Sequence, residues 1–336
     1  MPFSAKFSLG VLLPLILVSA SQQVVAASLP PPPVVSPIYL YSDDSFVENL
    51  HVLPSGSILF TEVTSNTLKS IDPNARTPAP HDVVSLPAVT SQLGITPVGP
   101  NAYAVAGGNY SNGAFLPGSA TLFVVTLSGG GNARQPTGHV TKAIPVATQL
   151  MNGLASLPAH PHLVLAADST GARVLRINTA TGATDVVWAD AAALGAPAGA
   201  ELPLGVNGIR VQGAWLYLTN SARGFFARVP IDAKGNVVGA LRVIRTLTGA
   251  IGLSNAYDDF AVDTTGNAYV ALHHSSVVKI TPAGVQTLIA GGEGVATVVA
   301  APTAVQLSLD GCELFVTQAG NTTGIGGHGG LLKIRL

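Results

Sequence analysis

The sequence holds a single cysteine, Cys312, among its 336 residues. One thiol cannot form an intramolecular disulfide, so the fold must be stabilised by packing and by backbone hydrogen bonds. Cys312 follows an Asp310–Gly311 turn and precedes an apolar segment. This position predicts a buried and unreactive thiol.

Charge is also scarce, since charged residues make up 10% of the chain and the formal net charge is −1. The sequence has no basic stripe and no polybasic segment. This argues against contacts with a nucleic-acid backbone or with anionic lipid. We therefore expect a monomer whose partner is a small molecule.

Long apolar runs are absent except near the N-terminus, where Lys6 precedes the apolar segment Gly10–Val18 and two stretches of small residues follow. That segment is too short to span a bilayer. It predicts a signal peptide over residues 1–27, entry into the secretory pathway with secretion or vesicular storage, and no membrane association after cleavage. Two Asn-x-Ser/Thr triplets predict N-glycosylation at Asn109 and Asn321.

Local catalytic motifs are missing as well. The sequence contains no Gly-x-Ser-x-Gly elbow, no Cys/His zinc spacing and no phosphate-binding loop. An active site must therefore be assembled from residues that are distant in the sequence.

The chain instead repeats one pattern, in which an acidic residue or Asn stands just before an apolar strand. It occurs at Glu48, Asn152, Asn207 and Asp258, with a period of about 50 residues in the second half. Such a period predicts radial repetition of a four-stranded unit. We expect an all-β fold, a six-bladed β-propeller over residues 37–336, preceded by a Pro-rich linker at 28–36. A strand at Ile38–Tyr41 would complete the last blade and close the ring; a β-sandwich or two β domains is the competing interpretation.

In an antiparallel hairpin, the start of one strand lies beside the end of the next. The predicted strand starts and strand ends therefore share one rim, and for any single residue capping of a turn is the alternative to a functional role. The strand-start residues are Glu48, Asn152, Asn207, Asp258 and Thr303. The strand-end residues are Glu62, Gly107, Asp168, Asn220, His273 and Gln318.

Asn207-Gly208-Ile209, and Asp258 to Asp263 followed by Gly266 to Val270, resemble the blade motifs of the senescence-marker-protein/gluconolactonase-like propellers. The resemblance extends over about residues 47–336. It implies a metal site at Glu48, Asn207 and Asp258, and it places Asn152 on the family's substrate-contacting Asn. Val206 and Asp259 depart from the pattern, which has Pro and Gly there.

An all-oxygen ligand set suits one divalent cation, Ca²⁺ above all. A hydrogen-bonded ring that closes the channel with water is the alternative. The resemblance and the chemistry of the residues together assign catalytic roles to Asp258, His273 and Asn152, although a structural His273 is an equal alternative. The predicted substrate-binding residues are Asn220, Asp168, Tyr257, Phe225 and Gln318.

The chain most resembles the secreted fungal branch of this family, whose members occur in natural-product pathways. Aromatic residues in the predicted rim loops favour an apolar ligand. The resemblance implies a hetero-Diels–Alder cycloaddition that joins a polyketide-derived quinone methide to a terpene. The alternatives are a metal-dependent lactonase and a ligand-binding propeller without catalysis.

Overall fold

The computed structural model describes residues 1–2, 33–292, 298–320 and 327–336. The predicted signal peptide and Asn321 lie outside these ranges. Within them, no helix is long and apolar enough to cross a membrane.

Six antiparallel sheets of four strands make up the described fold, which confirms the six-bladed β-propeller. Each sheet is one blade, numbered here in chain order. Blade 1 contains β2 Val47–Val52, β3 Ile58–Glu62, β4 Thr67–Ile71 and β5 His81–Ser85. Blade 2 contains β6 Ser91–Gly99, β7 Ala102–Gly108, β10 Thr121–Ser128 and β11 Thr137–Pro145, with a small hairpin of β8 Tyr110–Ser111 and β9 Ala114–Phe115.

The next two blades are connected through a short helix. Blade 3 contains β12 Met151–Leu157, β13 His160–Asp168, β14 Arg173–Asn178 and β15 Thr184–Ala189. Helix α1, Ala191–Leu194, follows and is capped by the Asp190 side chain. Blade 4 contains β16 Val206–Gln212, β17 Trp215–Asn220, β18 Phe225–Pro230 and β19 Arg242–Thr246.

The last two blades complete the circle. Blade 5 contains β20 Tyr257–Val262, β21 Ala268–Leu272, β22 Ser276–Ile280 and β23 Gln286–Gly291. Blade 6 contains β24 Pro302–Leu307, β25 Glu313–Gln318, β26 Gly330–Arg335 and β1 Val34–Leu40. The predicted closing strand is thus present, and it begins three residues before the expected domain start at Pro37.

The hydrophobic core lies between the blades rather than within one central layer. Six clusters of buried side chains are found in the described residues, one at each blade-to-blade interface. The innermost strands β2, β6, β12, β16, β20 and β24 contact one another in a closed circle. Because these strands surround the axis, polar residues at equal positions along them converge on one channel.

The prediction of a buried Cys312 is wrong. Cys312 is exposed, because it lies in the Asp310–Gly311 turn between β24 and β25 rather than in the strand that follows. Its backbone N–H donates to Asp310 Oδ1 at 3.0 Å, which fixes this turn at the surface.

A ring of bulged residues at the channel mouth

Every innermost strand has a register irregularity near its start, where one or two residues have no partner in the neighbouring strand. A bulge of this kind re-aims side chains at the end of a sheet. We call the first unpaired residue of each blade the rim ring. Its members are Glu48, Leu93, Asn152, Asn207, Asp258 and Thr303.

Threonines on the second strands hold the rim ring in place across the blade interfaces. Thr219 Oγ1 donates to the Asp258 carbonyl at 2.8 Å, and Thr317 Oγ1 donates to the Glu48 carbonyl at 3.1 Å. The same side chains accept from the bulged backbone of their own blades, at Gly208 N and Ala304 N. Each threonine therefore fixes a bulge and the neighbouring bulge together.

Glu48, Asn207 and Asp258 are all buried, with relative exposures of 6%, 3% and 7%. Burial, followed by the charges of Asp258 and Asp259, raises the pKa of Glu48 well above its usual range. Burial also raises the pKa of Asp258; His273 and the nearby Asn207 amide oppose this increase, and the Asp259 charge adds to it. Because Asp258 and Glu48 act on each other, the two carboxyl groups of blades 5 and 1 share one electrostatic environment.

Two oxygen atoms of this group are buried and have no hydrogen-bond partner among the described residues: Asn207 Oδ1 and Asp258 Oδ1. Their other polar atoms are engaged. Asn207 Nδ2 donates to Ser221 Oγ at 2.9 Å, and His273 Nε2 lies 3.0 Å from Asp258 Oδ2. A buried acceptor without a donor costs about 1–3 kcal/mol, so such atoms point to a missing partner.

Asn152 and His273 complete the polar group. Asn152 is buried, and its side chain makes no hydrogen bond within the part of the chain that the structure describes. His273 follows the last residue of β21 and is half-buried beside Asp258. The structure therefore brings together His273, Asp258, Glu48 and Asn207, and it places Asn152 at the equivalent position of blade 3.

The predicted substrate contacts at the strand ends are engaged in local structure instead. The Asp168 carboxylate accepts from Arg173 Nε at 2.7 Å and from Gly171 N at 2.8 Å. Its second-strand equivalents behave in the same way. Asn220 Nδ2 donates to the carbonyls of Ala193 and Gly195 at helix α1, and Asn220 Oδ1 accepts from Arg223 N. Gln318 Oε1 accepts from Ala300 N, and Gln318 Nε2 donates to the His328 carbonyl.

The two predicted aromatic contacts are core residues. Tyr257 has no exposed surface, and its hydroxyl bonds Gln286 Oε1 while burial raises its pKa. Phe225 packs in the cluster between blades 3 and 4. These positions give neither ring a surface with which to line the channel mouth.

Sequence reasoning missed two serines beside the rim ring, Ser169 and Ser221, which follow the strand-end residues of blades 3 and 4. Ser169 Oγ donates to the Val206 carbonyl, and Ser221 Oγ donates to the Tyr257 carbonyl. His273 stands one residue after the end of the second strand in blade 5. Aligning the repeats on this position would have found both serines.

Residues one to three positions further along three of the inner strands form a closed arrangement that we call the cross-channel triad: Asn49, Asp259 and Arg210. Asp259 Oδ2 accepts from Asn49 Nδ2 at 2.7 Å and from Arg210 Nη2 at 2.8 Å. Asp259 Oδ1 accepts from Phe260 N at 2.7 Å. Residues of blades 1, 5 and 4 thus meet across the axis and form a floor beneath the rim ring.

The geometry defines a class of protein: a six-bladed propeller with an acidic, amide-containing site at the channel mouth. No protein-family model matches the sequence, and no curated protein matches it. Solved structures with the same fold include a luciferin-regenerating enzyme (14% identity, TM-score 0.63, covering 90% of this chain and 95% of that one). A calcium-binding regucalcin from Agrobacterium tumefaciens has 15% identity and a TM-score of 0.58, with 90% and 94% covered. A gluconolactonase from Xanthomonas campestris has 10% identity and a TM-score of 0.59, with 90% of both chains covered.

Identities this low show the shared fold alone. The chain is similar to gluconolactonase-like six-bladed propellers in architecture and in the extent of the common region. What its own site does must be argued from its own residues.

Proposed function

We propose that this protein is an enzyme that hydrolyses a lactone at a site organised by one divalent cation. The observation that carries the proposal is the pair of buried oxygens without partners, Asn207 Oδ1 and Asp258 Oδ1, beside the Glu48 carboxyl. Oxygen acceptors that lack any donor from the protein suit a cation as their partner.

The ligand set fits a hard cation. The described residues contain no group of three or more His, Cys, Asp or Glu side chains that could hold a metal ion. The proposed set differs from such a group because its third ligand is the amide oxygen of Asn207. Ca²⁺ accepts carboxylate and amide oxygens with flexible geometry. Glu48, Asn207 and Asp258 would hold it, and it would supply a Lewis acid for a carbonyl oxygen.

The chain's own residues have separate roles in this site. His273 engages Asp258 Oδ2, which leaves Oδ1 as the oxygen that is available to a ligand. Ser221 holds the Asn207 amide nitrogen, which leaves its oxygen available in the same way. Asn152 supplies a hydrogen-bond donor for a substrate carbonyl or hydroxyl, and the cross-channel triad limits how deep a substrate can enter.

The structural neighbours support the lactonase alternative over the cycloaddition expected from the sequence. The gluconolactonase shares this fold, and the regucalcin binds calcium according to its description. Of the aromatic residues from which cycloaddition was expected, Tyr257 and Phe225 are buried in the core, whereas Tyr110 is exposed on the small hairpin of blade 2. We therefore do not extend the proposal to cycloaddition; the secretory route and N-glycosylation remain predictions of the sequence.

Calcium titration by calorimetry provides the first test. We expect one Ca²⁺ per wild-type chain, and binding weakened at least about 100-fold in Asp258→Asn, since one charged ligand is lost. Asp82→Asn is the matched control, because Asp82 is an exposed carboxylate on the outer strand β5. If both variants bound Ca²⁺ with the affinity of the wild-type protein, Asp258 would be ruled out as a ligand.

A panel of γ- and δ-lactones provides the second test, with and without a chelator. We expect hydrolysis by the wild-type protein that the chelator abolishes and added Ca²⁺ restores. Calcium binding without hydrolysis of any lactone would support a binding propeller instead. Chelator-resistant hydrolysis would overturn the cation-dependent proposal.

A further inference from the structure

Two histidines lie at the end of blade 3 that is opposite the rim ring. β12 starts at the rim and β13 returns towards it, so the start of β13 at His160 is the far end of the blade. His160 and His162 are two positions apart in this strand, and such residues project from the same face. Their ring centres are 6.0 Å apart, with an angle of 81° between the ring planes. The fold thus sets two imidazoles side by side, away from the proposed lactone site.

The backbone that carries the two rings is restricted. Pro161 has a fixed φ, and it confines the preceding His160 to extended conformations. Residues 161–163 of β13 have no partner in β12, which is a bulge of the kind that re-aims side chains. The His162 carbonyl accepts from Thr179 N at 2.8 Å and from Thr179 Oγ1 at 3.1 Å. The two rings therefore project from a backbone with few alternative conformations.

Both side chains are accessible to a ligand. His162 is exposed and His160 is half-buried. Neither imidazole makes a hydrogen bond to any residue that the structure describes, and no ring nitrogen of His160 is closed off from solvent. The nitrogens of both rings are therefore available as ligands.

The separation of the rings is compatible with two imidazoles on one ion. A transition-metal ion such as Zn²⁺ lies ~2.0–2.1 Å from an imidazole nitrogen, which places it about 3.2 Å from the ring centre. The centres of two rings on one ion are then at most about 6.4 Å apart, and about 5 Å apart at a tetrahedral angle. The distance of 6.0 Å lies within this limit. A small rotation of the exposed His162 side chain would close the remaining difference.

From these observations we propose that His160 and His162 chelate one divalent transition-metal ion, with water in its remaining positions. Imidazole nitrogens suit Cu²⁺, Ni²⁺ and Zn²⁺, and Cu²⁺ binds most tightly of the three. Ca²⁺ prefers oxygen ligands, so this ion differs from the one proposed for the rim ring. Because the site has two protein ligands, it is not one of the groups of three or more that the described residues lack.

A neighbouring positive charge limits the affinity of this site. Lys142 Nζ donates to the Thr179 and Ala180 carbonyls at 2.6 and 2.7 Å, in the turn that also bonds the His162 carbonyl. Its charge opposes a bound cation. We therefore expect a micromolar Kd for Cu²⁺ rather than a nanomolar one.

Titration of Cu²⁺ into the full-length protein, with Ca²⁺ in excess, tests the proposal. NMR follows the imidazole signals, which bound Cu²⁺ broadens. We expect His160 and His162 to broaden together at a Cu²⁺ concentration about tenfold below that which affects His139, because two ligands in one chain bind the ion jointly. His139 is an exposed histidine on β11 without another histidine two positions away. Zn²⁺ should shift the same two signals with a weaker affinity.

The variants His160→Gln and His162→Gln show whether both rings bind the same ion. Each should weaken Cu²⁺ binding at the remaining histidine at least about tenfold, because a chelate is replaced by a single ligand. His139→Gln is the matched control and should leave the affinity of the pair unchanged. The spectra themselves report whether each variant is folded.

Broadening of His160 and His162 no earlier than that of His139 would overturn the proposal. So would a His160→Gln variant in which His162 keeps the wild-type affinity, since the two rings would then bind independently. Cu²⁺ at the rim ring would broaden His273 instead, and it is recognised by that signal. Calcium binding and lactone hydrolysis do not enter these measurements, so the two proposals fail separately.

Discussion

Asp258 and Asp259 are consecutive buried carboxylates at the start of β20, yet they have opposite surroundings. Asp259 accepts from Asn49, Arg210 and Phe260 N, and so both of its oxygens are paired by the protein. Asp258 lies beside the Glu48 carboxyl, and its Oδ1 has no partner in the described chain. The bulge at this point aims the two side chains at different levels of the channel.

The difference teaches how to tell a structural acid from a ligand-binding one in this fold. Removing a carboxylate that the protein pairs completely leaves its buried partners unsatisfied, which destabilises the native state. A buried carboxylate with an oxygen that lacks a hydrogen-bond donor lowers the stability of the native state, and the rest of the fold must offset this loss. The cross-channel triad and the rim ring are therefore expected to respond in opposite ways to the same substitution.

The largest expected effect is on the paired acid. Asp259→Asn should lower the free energy of unfolding by about 3 kcal/mol, because Arg210 loses its counter-charge in a mostly buried position. Urea denaturation measures this directly. Adding Arg210→Gln to the variant should restore part of the loss; a single variant as stable as the wild-type protein would break the comparison.

His51 extends the comparison to acid conditions. Burial, followed by the Arg210 charge, lowers the pKa of His51 to about 4, below its ordinary value of about 6.5. Between these values the unfolded chain binds a proton that the folded chain rejects, so stability falls as the pH decreases through this window.

The variant His51→Gln should remove that part of the acid sensitivity. Between pH 7 and pH 4 the wild-type protein should lose about 2–3 kcal/mol more stability than the variant, measured by urea denaturation at each pH. His139→Gln, at an exposed position on the outer strand β11, should keep the wild-type slope. Identical slopes for wild type and His51→Gln would contradict the assignment.

Ser221→Ala tests whether the Asn207 amide is oriented for a ligand. Without Ser221 Oγ the amide can rotate, so we expect calcium affinity to fall about tenfold, or ~1.4 kcal/mol. Ser169→Ala is the matched control, because Ser169 bonds only the Val206 carbonyl in the equivalent place. Equal losses of calcium affinity in both variants would indicate a general structural effect.

The smallest effect is expected at the incomplete acid. Asp258→Asn should change the free energy of unfolding by less than about 1 kcal/mol without calcium, and the change should favour the folded state. The reason is that an amide is cheaper to bury beside Glu48 than a second carboxylate. A loss above about 2 kcal/mol would place Asp258 among the structural acids.

Sequence alone predicted the repeat, the ring closure and the members of the rim ring at Glu48, Asn152, Asn207 and Asp258. These positions follow from the regular phase of acidic or amide residues before apolar strands. Blade 2 gave a weaker signal, because its rim-ring member is the apolar Leu93. Its first and last strands, β6 and β11, were not predicted.

The sequence could not separate ligand contacts from caps at the strand ends. Asp168, Asn220 and Gln318 have the right residue types, but Arg173, Arg223 and the connecting loops engage them. These partners do not occur at equivalent positions in the six blades, so the repeat pattern does not reveal them. The pairing of Asp259 with Asn49 across the channel is equally invisible, since it joins residues of different blades.

The joining of β1 to β26 ties the first described strand to the last one, with Val34 opposite Arg335. At a synthesis rate of about 5–20 residues per second, roughly 15–60 s separate the emergence of these two strands from the ribosome. During that time β1 has no partner strand, and chaperones would have their longest opportunity to bind it. A truncation that removes Val34–Leu40 should leave the edge of β26 open permanently and make the protein prone to self-association through that edge.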